Sequence, residues 1–115
     1  MRTFMLCLLC LLCLIALHGD APAAEPLRVT VTAYASGTVT ASGKRPRPGM
    51  IALSRDVERA FGVHFGDLVH LHGLGTYRFE DRMPFYWHRR VDLYMTSRPA
   101  ARQFGKQHRV LGRVP

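Results

Sequence analysis

The chain has no cysteine after residue 13, and its three cysteines lie in one apolar segment near the start. A fold that begins beyond this segment has no thiol. This excludes a disulfide-stapled mini-protein, a cysteine-ligated zinc module and a cysteine nucleophile. The 115 residues also contain no internal repeat or heptad pattern, and a single domain usually takes about 100–150 residues. We therefore expect one small domain.

Long hydrophobic runs are also missing, apart from residues 4–17, which form an unbroken apolar stretch of 14 residues. A membrane span needs about 20 apolar residues. Arg2 before the stretch and Ala21-Pro22-Ala23 after it match a secretory signal peptide. We expect a signal peptide over 1–23, a linker over 24–27 and no transmembrane segment in the mature protein, with a retained anchor as the alternative. The predicted location is the periplasm or cell envelope.

Acidic residues are scarce. The chain has 8 Asp and Glu against 16 Lys and Arg, which gives a formal net charge of +8. Such a balance suits an anionic partner, for example an anionic glycan, an acidic lipid or a nucleic acid. Export disfavours nucleic acid, so we expect none as a partner. The alternative is that the basic residues only keep a small exported protein soluble.

Short strands separated by glycine-rich turns dominate the rest of the chain. Alternating apolar residues predict strands over 28–34, 50–53, 68–72, 76–80, 90–95 and 107–111. Two short helices, 55–61 and 98–104, are each predicted to follow a capping serine, Ser54 and Ser97, and to stop at a glycine, Gly62 and Gly105. Residues 35–49 form a long loop. The fold class is mainly β, a small six-stranded barrel with two short helices.

Histidines give no convincing metal site. His70 and His72 lie two residues apart on a predicted strand, so both point to one face. A third ligand at suitable spacing is missing from the sequence around them. We predict no metal site and no cofactor.

Two aspartates stand out among the few acids. Asp92 lies inside a predicted strand, where aspartate is disfavoured, and Asp81 follows another strand. One explanation is an inward, polar-lined groove in which the two carboxylates approach each other. Each would then raise the proton affinity of the other, and a protonated acid can cleave glycosidic bonds. The alternative is that Asp92 pairs with Arg89 or Arg90 on the surface.

A series of short motifs occurs in one order along the chain. They are Thr32-Ala33-Tyr34, Thr40-Ala41-Ser42-Gly43, Pro48 to Leu53, Gly73 to Tyr77, Glu80-Asp81, Arg90 to Tyr94 and Ala101 to Gly105. In this order they resemble the three-aspartate (3D) domain family, and the separation of eleven between Asp81 and Asp92 agrees with that family. The resemblance covers about residues 28–111, and we place the domain at 28–113.

The resemblance implies a double-psi β-barrel, like that of rare lipoprotein A and the membrane-bound lytic transglycosylase A class. These relatives act on peptidoglycan glycan strands, which are therefore the expected partner of a monomeric protein. It also implies an aspartate that protonates the bridging oxygen between two sugars. The same group then helps the C6 hydroxyl close onto C1, which gives a 1,6-anhydro product. By this resemblance Asp81 is the acid/base, Asp92 its electrostatic partner and Asp56 a third member.

The sequence departs from the family at two places. Ser54 occupies the position of the first aspartate, so Asp56 stands in for it and Ser54-Arg55-Asp56 marks a variant subgroup. After Asp81 the usual Thr-Gly-Gly segment is replaced by Arg82-Met83 and a bulky loop. Positive charge from arginines there can hold the aspartates ionised, which suits a binding module that does not cut. A basic exported protein that binds another protein or nucleic acid is a third hypothesis.

Six further residues are candidates for contact with a glycan. The candidates are Tyr34, Thr40, Ser42, Arg82, Trp87 and Arg90. The three polar residues in the first half line the predicted groove or, alternatively, make only loop hydrogen bonds. Trp87, with Phe85 and Tyr86, can stack on sugar rings or instead plug an end of the barrel.

Overall fold

The computed structural model describes residues 25–115, so the predicted signal peptide and Ala24 of the predicted linker lie outside the described residues. The strands are β1 Leu27–Tyr34, β2 Met50–Leu53, β3 Leu68–Leu71, β4 Gly75–Arg82, β5 Arg90–Tyr94 and β6 Gln107–Gly112. The helices are α1 Arg55–Phe61 and α2 Arg98–Phe104. Within the described part of the chain, no helix is both long and apolar enough to cross a membrane.

The strands close into a barrel in the order β1-β5-β2-β4-β3-β6. Two neighbouring pairs are parallel, β1 with β5 and β2 with β4, and the other four pairs are antiparallel. Closure leaves no unpaired sheet edge. The predicted mainly-β, six-stranded barrel with two short helices is confirmed, and the architecture is compatible with a double-psi β-barrel.

The hydrophobic core fills the inside of the barrel. Alternate residues of the strands point inward, as the period of two in a strand requires, and α1 adds two side chains. The core consists of Val29, Val31, Ile51, Leu53, Val57, Phe61, Val69, Leu71, Phe79, Val91, Leu93 and Leu111. The intervening residues of β1 and β5 therefore face out of the barrel.

A serine precedes each helix, but the two side chains accept hydrogen bonds from different parts of the chain. Ser97 caps α2 as predicted, since its hydroxyl accepts a hydrogen bond from the Ala100 amide at 3.2 Å. Ser54 does not cap α1 with its side chain. Its hydroxyl accepts from the Arg90 amide at 3.1 Å instead, so it ties the end of β2 to the start of β5.

A β-bulge in β4 sets the positions of the adjacent acids Glu80 and Asp81. Ile51 of β2 pairs with Phe79, but the next residue, Ala52, pairs with Asp81, so Glu80 is the extra residue. The bulge moves Asp81 onto the outward face beside Ala52. It also explains why β4 runs to Arg82, two residues past the predicted end, because the shifted pairing with β2 continues there.

Candidate active site

Asp81 and Asp92 lie on the same outward face of the barrel, in one row across four strands. Thr32 pairs with Asp92, Asp92 with Ala52, and Ala52 with Asp81. Residues paired in register point to the same face. The two aspartates are two strand spacings apart, about 10 Å between Cα atoms. The expectation of an inward groove is therefore corrected, because the apolar core already fills the interior.

Asp81 is held by three hydrogen-bond donors. Its Oδ1 accepts from the backbone amides of Ala41 and Arg82, both at 2.9 Å. Its Oδ2 accepts from the Tyr34 hydroxyl at 3.1 Å. An ionised carboxylate is purely an acceptor of hydrogen bonds, so this set of donors suits a fixed negative charge.

Asp92 has a different environment. The Thr32 hydroxyl donates to its Oδ1 at 3.0 Å, and the Arg90 guanidinium in turn donates to the Thr32 hydroxyl at 3.4 Å. Burial raises the pKa of Asp92 to about 6, although the Thr32 hydrogen bond and the Arg90 charge oppose this, and the charge of Asp81 adds to it. A carboxyl group with such a pKa can carry and release a proton near neutral pH.

Tyr34 partly covers the aspartate row. Its hydroxyl reaches from β1 to Asp81 on β4, across the two intervening strands of the barrel. Burial and the neighbouring charge of Asp81 raise the pKa of Tyr34 well above its usual range, so the phenol keeps its proton and remains a donor. The ring also packs edge-on against Tyr94, with centroids 5.5 Å apart.

Replacing Tyr34 by phenylalanine removes one donor to Asp81 and leaves the ring in place. We expect the free energy of unfolding to fall by about 1 kcal/mol, the usual net value of one hydrogen bond. Urea denaturation at pH 7 measures this. Tyr94→Phe is the matched control because it leaves the bond to Asp81 intact, and an equal loss in both variants would contradict the role given to the Tyr34 hydroxyl.

The structure does not bring Asp56 to this pair. It lies in the first turn of α1, where its Oδ2 accepts from the Arg89 amide at 2.9 Å. Burial acts to raise the pKa of Asp56, but hydrogen bonds from Ser54 and from the Arg89 amide lower it. Its position fits an anchor for the loop that leads into β5.

The two arginines predicted to contact substrate differ. Arg82 is committed to a paired contact with Glu58, with a shortest distance of 2.7 Å, and its guanidinium lies 4.4 Å from the centroid of the Phe65 ring. Arg90 stays near Asp92 and places its guanidinium 4.0 Å from the centroid of the Trp87 ring. The Arg82 backbone amide binds Asp81, but of the two guanidinium groups only that of Arg90 acts on the aspartate row, through its charge on Asp92.

Residues 85–87, here called the aromatic segment, contain two exposed rings, Phe85 and Tyr86, and the partly buried Trp87. Phe85 is 80% exposed and Tyr86 62% exposed. The rings contact one another in sequence, with Phe85 and Tyr86 centroids 5.8 Å apart and Tyr86 and Trp87 centroids 5.5 Å apart. Phe85 and Tyr86 are too exposed to plug the barrel, so they form an open aromatic surface, while Trp87 is partly buried and carries the Arg90 guanidinium on its ring.

Thr40 and Ser42 belong to a hydrogen-bond network that connects the 40–44 turn to the barrel. The Lys44 amide donates to the Thr40 hydroxyl at 3.2 Å, the Thr40 and Ser42 hydroxyl oxygens lie 2.9 Å apart, and Ser42 donates to Glu80. The Lys44 ammonium lies 3.3 Å from Glu80 Oε1. This turn supplies the Ala41 amide to Asp81, so Thr40 and Ser42 shape the site through the backbone.

Glu80 is the site residue that the motif pattern left without a role. Its side chain is 1% exposed. Burial acts to raise its pKa, but the hydrogen bonds from Ser42 and Lys44 and the Lys44 charge lower it. The sequence does contain a signal for this role. Glu80 directly precedes Asp81, and because side chains alternate along a strand, the two cannot both lie on the outward face.

No protein-family model matches the chain, and no curated protein matches it either. What is established is the fold class, a closed six-stranded β-barrel, and a polar row of residues on its outer face. Among residues 25–115, no three His, Cys, Asp or Glu side chains are grouped so as to hold a metal ion. The resemblance to the three-aspartate domain stays a prediction.

Proposed function

We propose that this protein is exported to the cell envelope and cleaves peptidoglycan glycan strands in the manner of a lytic transglycosylase. The observation that carries the proposal is Asp92, a half-buried carboxyl whose pKa is raised to about 6 and which shares an outward face with Asp81. A titratable group with a perturbed pKa beside a second acid is typical of acid–base sites. Export, the periplasmic location and a monomeric state belong to the same proposal.

The proposed roles of the aspartates are the reverse of those that the family resemblance implied. Asp92 gives its proton to the bridging oxygen between two sugars, and the bond from that oxygen to C1 breaks. The resulting carboxylate then takes the proton of the C6 hydroxyl while that oxygen bonds to C1, so the cycle ends with Asp92 protonated and a 1,6-anhydro sugar. No water is consumed.

Asp81 serves as the fixed negative charge of this mechanism. The sugar carries positive charge at C1 as the bridging bond breaks, and a preorganised carboxylate nearby stabilises it. The two amides and the Tyr34 hydroxyl hold Asp81 in place. The small side chain of Ala52 lies between the two acids, so no bulky group separates them.

The aromatic segment gives the proposed groove a sugar-binding wall. Removing its exposed rings in a Phe85→Ser/Tyr86→Ser double variant should weaken retention on sacculi about 5- to 10-fold, as aromatic contacts are worth about 0.5–1.5 kcal/mol. Co-sedimentation measures the retention, and thermal unfolding should be unchanged because both rings are exposed. Val114→Ser, at another exposed apolar residue, is the control. Equal retention by wild type and double variant would remove the segment from the binding surface.

A non-catalytic peptidoglycan-binding module is the second candidate. It is favoured by Arg90, whose charge acts to lower the pKa of Asp92 and whose guanidinium stacks on Trp87. A ligand that strengthened this effect would leave Asp92 ionised and unable to donate a proton.

Incubation of the purified protein with sacculi separates the two candidates. Soluble fragments with 1,6-anhydro ends, identified by mass spectrometry and absent with Asp92→Asn, are expected for the enzyme. Co-sedimentation without released fragments would overturn the enzymatic proposal in favour of the binding module. Failure to bind sacculi at all would contradict both.

A further inference from the structure

A basic cavity lies beside the aspartate row and takes no part in the proposed chemistry. It has a volume of about 460 Å³ and is lined by Arg28, Val29, Thr30, His88, Arg89 and His108. Ligand sites of proteins commonly have volumes of about 300–1,000 Å³. The cavity is therefore large enough for a charged substituent of a larger ligand.

Strand register explains why these side chains converge. Thr30 of β1 pairs with His108 of β6 on one side and with Arg90 of β5 on the other, so the imidazole of His108 stands on the outward face next to Thr30. The Thr30 amide donates to the Arg89 carbonyl at 2.8 Å. This bond, with the Asp56 contact to the Arg89 amide, fixes the end of the loop over β1.

The lining carries positive charge and hydrogen-bond donors but no carboxylate. Two arginines and two histidines line the space, and within residues 25–115 none of the four takes part in a salt bridge. Guanidinium groups bind carboxylate and phosphate oxygens in a bidentate manner, and a neutral imidazole still donates one N–H. The lining therefore offers positive charge and hydrogen-bond donors to a bound oxyanion.

The cavity is close enough to the aspartates to share a ligand with them. Thr30 and Thr32 are alternate residues of β1 and point to the same face, about 7 Å apart along the strand. Thr32 binds Asp92. A polymer that lies along the row can therefore place one substituent in the cavity while a bridging oxygen lies at Asp92.

We infer that the cavity lined by Arg28, Arg89 and His108 binds an oxyanion group, a carboxylate or a phosphate, carried by the glycan polymer in the groove. The inference rests on the proposed function for the identity of that polymer. The positive charge recognises the shared oxyanion chemistry, and the polymer supplies it either as peptide and lactyl carboxylates or as phosphodiesters of an attached chain.

The test compares soluble glycan oligomers with free carboxylates, the same oligomers with their carboxylates amidated, and phosphodiester-bearing oligomers. Binding to the purified protein is measured by calorimetry for wild type, an Arg28→Gln/His108→Gln double variant and the control Arg59→Gln. Arg59 is exposed on α1 and does not line the cavity. We expect one of the two anionic ligands to bind wild type at least about tenfold more tightly than the amidated oligomer, as loss of charge-assisted hydrogen bonds implies. The preferred ligand identifies the source of the oxyanion.

The double variant should lose this preference, while Arg59→Gln keeps it. An equal loss in both variants would mean nonspecific attraction to a basic protein and would overturn the inference, as would equal binding of all three ligands by wild type. A failure of the proposed function would give a different result, namely that no glycan oligomer binds the wild-type protein. If no oligomer binds, titration with inorganic phosphate, followed by the NMR shifts of the Thr30 and Arg89 amides, tests the cavity alone, and unchanged shifts would also overturn it.

Discussion

Asp92→Asn should make the protein more stable at pH 7 by about 2 kcal/mol and abolish the release of glycan fragments. The pKa of Asp92 is raised from the ordinary value of 3.8 to about 6, so the folded protein holds this proton more tightly than the unfolded chain does. The stabilising effect of the proton is complete below about pH 4 and is lost as the pH rises to about 6. Above about pH 6 the ionised, half-buried carboxylate lowers the free energy of unfolding. The size of the effect follows from the pKa shift, since one pKa unit corresponds to about 1.4 kcal/mol.

Asparagine removes that cost and keeps an oxygen for the Thr32 hydroxyl. Denaturant unfolding at pH 7 and at pH 4 measures the effect, and the gain should be present at pH 7 and absent at pH 4. Asp67→Asn, at a carboxylate that is 53% exposed, is the control and should show no such gain. A destabilised Asp92→Asn protein at pH 7 would contradict the placement of a costly charge at this site.

The loss of activity follows from the same group. General acid–base catalysis by one positioned side chain contributes about 10²- to 10⁴-fold to a rate, so release of fragments from sacculi should fall by at least about 100-fold. A stable, inactive variant would show that stability is given up for function at this position. Full activity in Asp92→Asn would exclude Asp92 as the acid.

Glu80→Ala should strongly destabilise the protein, because Glu80 of β4 anchors the 40–44 turn that supplies an amide to Asp81. The variant deletes a buried carboxylate, leaves the Ser42 hydroxyl without its acceptor and removes the partner of Lys44. Breaking a buried, hydrogen-bonded charge costs about 3–5 kcal/mol, and the half-exposed Lys44 places the expected value near the lower end, at about 3 kcal/mol. Urea denaturation at pH 7 measures it.

The pH dependence of this effect has the opposite sign to that of Asp92. Because hydrogen bonds and the Lys44 charge lower the pKa of Glu80 below its ordinary value of 4.5, its contribution is complete above that value. It is lost as the pH falls below it. The difference between wild type and Glu80→Ala should therefore shrink in acid. Lys106→Met, at an exposed lysine that takes part in no salt bridge within residues 25–115, is the control and should change the free energy of unfolding by less than about 1 kcal/mol. A Glu80→Ala protein as stable as wild type would contradict the anchoring role.

The local pattern of the sequence predicts the elements of this fold well. Alternation of apolar residues marks the strands, and Ser97 and Gly105 bracket α2 as predicted. Ser54 shows the limit of the same reasoning. Its residue type fits a helix cap, but a strand that pairs from a distant part of the chain takes the hydroxyl for the Arg90 amide.

The sequence singles out Asp81 and Asp92 as candidates, but it does not show how the two are placed relative to each other. Their common row depends on the Glu80 bulge and on β2 lying between β4 and β5, and neither follows from spacing along the chain. Their different roles depend on the 40–44 turn, which supplies an amide to Asp81 and none to Asp92. Protonation is set by burial and donors from distant residues, so the sequence could not assign the acid.

In the proposed mechanism Asp92 carries the proton that the reaction transfers, so its carboxyl group must titrate near neutral pH. The most direct test is a ¹³C NMR titration of the Asp92 carboxyl carbon in the purified protein, assigned by comparison with Asp92→Asn. We expect a midpoint at about pH 6. A midpoint at or below the ordinary aspartate value of 3.8 would show an ionised Asp92 throughout the neutral range and would contradict its role as the acid.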